Sequence, residues 1–231
     1  MRNRNRAITG WTALVLSVVL SQGHVNGEEG GGADASRKGI ELAKKRDYAG
    51  AAAEFTKAIK ADPSASHYTN RGKAYRAAGN YNEAEADFTK VIELNSGSAD
   101  AYSERGKVKV SQKKYDEALA DLNKSLELNS GDIDTLRFRA FAYLSKDDFD
   151  KAITDYSEVI TKMPKDVEAH RRRGYAYASK GDKEKAKADF QTVLKLKPSD
   201  DDATTRMKAL ESKAAAPAAS PAAAGAPAPH P

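Results

Sequence analysis

The sequence contains no cysteine, which excludes disulfides, thiolate metal sites and a lipoprotein anchor. That absence is neutral about compartment, although it suits an oxidising one. Aromatic residues make up only 7% of the 231 residues while 31% are charged, a balance that fits a thin, elongated helical stack better than a compact globule. Only four histidines occur, His24, His67, His170 and His230, and no metal-like pairing joins them. A glycine-rich phosphate loop is absent too. No catalytic constellation follows, so the expectation is a non-enzyme with no cofactor and no metal. Proline is sparse between residues 33 and 213: Pro63, Pro164 and Pro198 are the three there.

Long apolar runs are missing except for Ala7 to Leu20, a mostly apolar stretch of fourteen residues. It is short of the roughly 20 that a bilayer span needs. It follows Arg2, Arg4 and Arg6 and precedes Val25-Asn26-Gly27, the layout of a signal peptide over 1–27 cleaved after Gly27. The expected location is therefore periplasmic or secreted, of bacterial type, by the general secretory route; an uncleaved signal anchor is the alternative and the one case implying a membrane. The same segment corrects the charge. Of 38 basic residues three lie in 1–27, leaving 35 against 33 acidic ones, a balance of +2. The pI of about 9.1 is thus no argument for nucleic acid, and none is expected as a partner.

What the chain does have is a period. Gly39, Gly72, Gly106, Ala140 and Gly174 follow one another at intervals of 33 and then 34 residues. Ala51, Ala84, Ala118, Ala152 and Ala186 keep the same phase, as do Phe55, Phe88, Leu122, Tyr156 and Phe190. Such a period marks stacked units, each completing its neighbour's apolar face. Counting one unit from Ala65, Tyr68, Gly72 and Tyr75 share one helical face, Gly79-Asn80 makes a turn, and Tyr81, Ala84, Phe88 and Val91 share the face of a second helix. Each unit is a helical hairpin. A glycine inside a helix costs roughly 1 kcal/mol against alanine, so the eighth-place glycines imply close helix crossing beside the large twenty-fourth-place residue.

On Tyr68, Gly72, Tyr75, Ala84 and Phe88, and again on Gly174, Tyr177, Ala186, Phe190 and Pro198, the chain resembles the tetratricopeptide repeat family. Leu42 and Lys109 depart from the eleventh-place tyrosine, and Lys183 from the aromatic at Tyr48, Tyr81, Tyr115 and Phe149. The resemblance implies an all-α, right-handed α-α superhelix: a linker at 28–32, five repeats at about 32–64, 65–98, 99–132, 133–166 and 167–200, and a capping helix at 201–213. The tail, 214–231, is rich in alanine and proline with no charged side chain, and is expected to be disordered.

Charge follows the period as well. Lys38, Arg71, Arg105, Arg139 and Arg173 stand at the seventh place, each sixteen residues before Glu54, Asp87, Asp121, Asp155 or Asp189. An ion pair across each hairpin is predicted. An arginine ladder for nucleic acid is the competing reading, and it requires these arginines to be free.

The resemblance implies a groove lined by the first helix of each repeat. Its expected contact residues are Lys73, Arg76 and Lys107, with Thr69, Ser103 and Asp100 nearby, and then Arg137, Phe141, Arg171 and Tyr175, with Leu144, Asp134 and Glu168. A protein or peptide carrying acidic groups and apolar anchors would suit that surface. The carboxylate grip of the family's chaperone-binding members does not map, because Ile40 and Glu104 interrupt it. The expected function is a non-enzymatic, exported adaptor binding a protein or peptide in the groove. The alternative is a self-associating or envelope-organising scaffold acting through its convex face or its edges, and oligomers are allowed by either.

Overall fold

The computed structural model describes residues 29–212, which form eleven helices in a single α-solenoid. The first helices of the five hairpins are α1 (Glu29–Lys44), α3 (Ala65–Ala78), α5 (Ala99–Ser111), α7 (Ile133–Ser145) and α9 (Val167–Ser179). Their second helices are α2 (Tyr48–Ala61), α4 (Tyr81–Leu94), α6 (Tyr115–Leu128), α8 (Phe149–Lys162) and α10 (Lys183–Leu196), and α11 (Asp201–Glu211) closes the stack. The sequence-derived hairpins and cap are therefore present in the expected order. The expectations for 1–28 and 213–231 lie outside the described residues. One boundary moves: from Glu29 onward the supposed linker is the first turn of α1, where Gly32 lies so close to α2 that an added Cβ would stand 3.0 Å from Ala61.

Side chains set the ends of the helices. Asp47, Asp148, Asp166, Asp182 and Asp200 each cap a helix by accepting backbone N–H hydrogen bonds, worth roughly 1 kcal/mol per cap. At the fifteenth place every hairpin turns through positive φ, using Gly79 and Gly181 in two cases and Arg46, Lys113 and Asp147 in the others. A turn fixed by tertiary packing here overrides residue preference.

The core is a row of neighbour-to-neighbour clusters with no single centre. The first runs through Ala51, Ala52, Phe55 and Ala74, and the last through Tyr175, Phe190, Val193 and Ala203. The small eighth-place residue has its predicted role. A Cβ on Gly39, Gly72, Gly106 or Gly174 would come within 2.7–3.0 Å of Phe55, Phe88, Leu122 or Phe190 respectively. The first helices also meet one another, α1 with α3, α3 with α5, α5 with α7 and α7 with α9, which places them together on the inner face.

All five predicted ion pairs form. Lys38 reaches Glu54 at 2.8 Å, and Arg71, Arg105, Arg139 and Arg173 each hold their aspartate by two N–H donors at 2.7–2.9 Å. Hydrogen bonds to those aspartates raise the pKa of each of the four arginines. The remaining nitrogen of each donates to the preceding hairpin, at Thr56, Thr89, Asn123 and Ser157. One side chain thus ties three helices, and the seventh-place arginines are spoken for within the fold.

Candidate functional site

The inner face divides into two halves. In the first, Lys73 is exposed and forms no ion pair among the described residues, and Ile40, one of the exposed large apolar side chains, stands on the same helix series. Thr69 bonds back to the Ala65 carbonyl. Arg76 and Lys107 converge on Glu104, at 3.1 and 3.3 Å, and Lys107, only 6% exposed, lies over the Phe138 ring. A polar cleft of about 420 Å³ opens here, with Lys73, Asp100, Ser103, Glu104, Lys107 and Asp132 among its walls. Of the seven expected contact residues, Lys73 and Lys107 are thus brought together, with Arg76 joined to them through Glu104.

The second half is different, and corrects the expectation. Arg137 is 4% exposed, held between Asp134 at 3.3 Å and Asp166. Arg171 is held in the same manner between Glu168 and Asp200. Phe141, expected as an open platform, is 3% exposed; it sits in the core beside Leu122 and Phe138, with the Tyr115 ring at its edge and the Arg172 guanidinium 4.5 Å from its centre. Tyr175 is 8% exposed. It packs on Phe190, gives its hydroxyl hydrogen to Asp202, and is covered by Arg206 of α11 at 4.0 Å. These four residues join one hairpin to the next. The expectation of acidic partner groups rests on arginines lining this stretch, and those arginines already hold carboxylates of their own chain.

Two contact rules emerge that the linear reading missed. The fifth-place side chain reaches the aspartate capping the next unit, the following hairpin or α11: Ser103 to Asp132, Arg137 to Asp166, Arg171 to Asp200. The sixth-place side chain meets the ninth of the preceding hairpin, as Phe138 meets Lys107 and Arg172 meets Phe141. Asp132, Asp166 and Asp200, at a strict 34-residue interval, were the visible trace of the first rule.

Electrostatics sharpen with depth. Burial raises the Asp155 pKa, and Arg139 does not offset it. Asp189 is equally enclosed, but hydrogen bonds from Arg173 and then His170 outweigh burial and hold it below the usual carboxylate range. His170 Nδ1 lies 2.9 Å from Asp189 and its Nε2 3.1 Å from the Pro164 carbonyl, a structural tie between α9 and α10. Among the described residues no cluster of three His, Asp or Glu could hold a metal, and no helix is long and apolar enough to cross a membrane.

Comparison with known proteins agrees with the repeat fold. Sequence profiles described as "Tetratricopeptide repeat" match residues 65–98, 99–132 and 167–200, and one described as "TPR repeat" matches 140–181. Together they take in more than half of the chain. No curated protein matches it. Among solved structures, a crystal structure of a MamA protein is 25% identical, covers 81% of this chain and 98% of its own, and has a TM-score of 0.67. MamA residues 41 to the end from Desulfovibrio magneticus RS-1 are 20% identical over 74% of this chain and 97% of that one, with a TM-score of 0.68. YrrB, described as a TPR protein with an unusual peptide-binding site, is 23% identical over 75% and 90%, with a TM-score of 0.66. The last two likenesses speak for the fold.

Proposed function

Because the chain belongs to the tetratricopeptide repeat family, whose members are generally non-enzymatic protein-interaction modules, we propose that it is an adaptor binding a protein or peptide on the inner face of its first three hairpins. The observation that carries this reading is the contrast between the halves. Lys73 stands exposed in the wall of an open cleft and Ile40 is exposed at the same place of the first hairpin, whereas the aromatic and arginine side chains of the last two hairpins are used up in holding the stack together. A ligand gains most where groups are open and preorganised, because the protein then loses nothing internal on binding. Catalysis has no place in this reading.

The lack of cysteine makes the test direct. Single cysteines at Ile40 and Lys73, and at Lys90 and Lys124 on the second helices, would carry a photocrosslinker in the full chain. Adducts from the first two positions and none from the others are expected. Adducts confined to the second helices would overturn the groove and favour the scaffold reading. The segment 1–27 we take to be an export signal, supported by its charged start and its short apolar run. Protein recovered from its native cell should then begin at Glu28; a start at Met1 would refute cleavage.

A further inference from the structure

The fourth and fifth hairpins show how this fold holds a guanidinium. An acid at the second place, one turn before the arginine, and the aspartate capping the next unit, a hairpin or α11, close on it from two sides: Asp134 and Asp166 on Arg137, Glu168 and Asp200 on Arg171. The third hairpin has both acids, Asp100 and Asp132, but its fifth place is Ser103. The cleft of about 420 Å³ lies there, with all three residues in its walls. Neither acid enters an ion pair among the described residues; Asp132 keeps only hydroxyl and backbone donors, from Thr135, Ser103 and the Asp134 N–H. Glu104, nine-tenths buried in the same wall, already has its cations in Arg76 at 3.1 Å and Lys107 at 3.3 Å, so the carboxylates of the cleft left without one are Asp100 and Asp132.

We propose that this cleft receives the arginine side chain of a bound peptide, whose guanidinium takes between Asp100 and Asp132 the place that Arg137 and Arg171 take in the following hairpins. The proposal rests on the groove reading above and gives it a ligand chemistry. The cleft's lysines do not oppose it. Lys107 is tied to Glu104, and Lys73 stands at the ninth place, the same place that Lys107 occupies in the hairpin preceding the Arg137 site. The fold therefore already tolerates an arginine with a lysine at that position. A planar guanidinium, with donors spread in a fork, matches two separated carboxylates better than an ammonium does.

The probe is the blocked peptide acetyl-Gly-Arg-Gly-amide, titrated into the isotope-labelled full chain and followed by amide chemical shifts. Its citrulline, lysine and glutamate counterparts serve as controls. Saturable shifts at residues 100–107 and 131–135 are expected, with the uncharged citrulline peptide roughly tenfold weaker or worse. Ser103→Arg should supply the missing side chain from within and abolish binding. Asp100→Asn, at an exposed position, should weaken binding several-fold while leaving the fold alone, and decides the matter if Ser103→Arg does not fold. Equal binding of the citrulline or glutamate peptide, no binding of the arginine peptide, or binding undiminished in the variant tested would overturn the proposal. The crosslinking map uses no arginine probe, so the groove reading can survive that failure or fail separately.

Discussion

The second and third hairpins present much the same backbone as the fourth and fifth, yet one pair leaves its inner face open and the other has closed it. At the fifth place the series runs Thr69, Ser103, Arg137, Arg171, and at the ninth Lys73, Lys107, Phe141, Tyr175. Hydroxyl side chains at the fifth place and lysines at the ninth leave a cleft. Arginines and aromatics reach the next hairpin and cross the same space. In a solenoid each unit touches only its neighbours, so a side chain at an inner position either faces a ligand or joins two repeats. Residue type alone therefore misleads: the arginines and aromatics that most resemble a binding surface are the joints.

Reopening the closed half should have the largest consequences. Phe141→Ala is expected to cost about 3–5 kcal/mol, measured by chemical denaturation, because a ring in a core cluster is removed and Arg172 loses its platform. Loss of a ligand with stability unchanged would show instead that the ring had been a groove residue. Arg137→Ala removes one partner from a buried pair and leaves Asp166 without its cation, at a cost of about 3 kcal/mol. Lys73→Ala, the control in the open half, should change stability by less than about 0.5 kcal/mol. Equal costs for Arg137 and Lys73 would erase the distinction between the halves.

The repeat architecture was legible from the sequence because it depends on residues at equal places. The eighth- and twenty-fourth-place packing and the pairs between the seventh and twenty-third places recur in phase, so a single period exposed both. What escaped notice joins unequal places in different repeats. The third donor of each seventh-place arginine goes to Thr56, Thr89, Asn123 or Ser157, side chains too varied to make a series. Arg137 and Arg171 looked like groove cations because their partners Asp166 and Asp200 lie 29 residues on, in what reads locally as a helix cap. Such an aspartate serves both its own helix and the preceding repeat, and only the three-dimensional stack shows the second duty. The linker at 28–32 failed for a simpler reason. Its glycines read as flexible, but Gly32 is small because α2 stands against it.

The last hairpin is closed by α11, which places Arg206 on the face of Tyr175, where Arg172 covers Phe141 one unit earlier. Arg206→Ala should uncover that ring at a modest cost, about 0.5–2 kcal/mol, since a partly exposed cation–π contact is being removed. Faster exchange of the Tyr175 hydroxyl proton, with α9 and α10 still protected, is the expected signature. No change at Tyr175 would mean that α11 adds nothing beyond length. Arg206→Ala thereby separates a half closed by its own side chains from one closed only by its cap.

The smallest effect distinguishes the two closed hairpins from each other. Asp155 and Asp189 hold equivalent arginines, but Leu136 occupies the fourth place in one hairpin and His170 in the other, where its Nδ1 lies 2.9 Å from Asp189. Burial raises the Asp155 pKa, so the folded state holds that proton more firmly than the unfolded chain, and this carboxyl's contribution to stability falls as pH rises through and above about 4. Asp189, lowered despite its burial, behaves oppositely: its contribution is present above about pH 4 and is lost as acid titrates it. Denaturation of Asp155→Asn and Asp189→Asn against the parent at pH 3, 5 and 7 should give differences that move in opposite directions with pH. His170→Leu, which gives the fifth hairpin the fourth-place residue of the fourth, should bring the Asp189 trend toward that of Asp155. Parallel trends for the two aspartates would mean that His170 contributes nothing to the balance and that the arginine alone sets both.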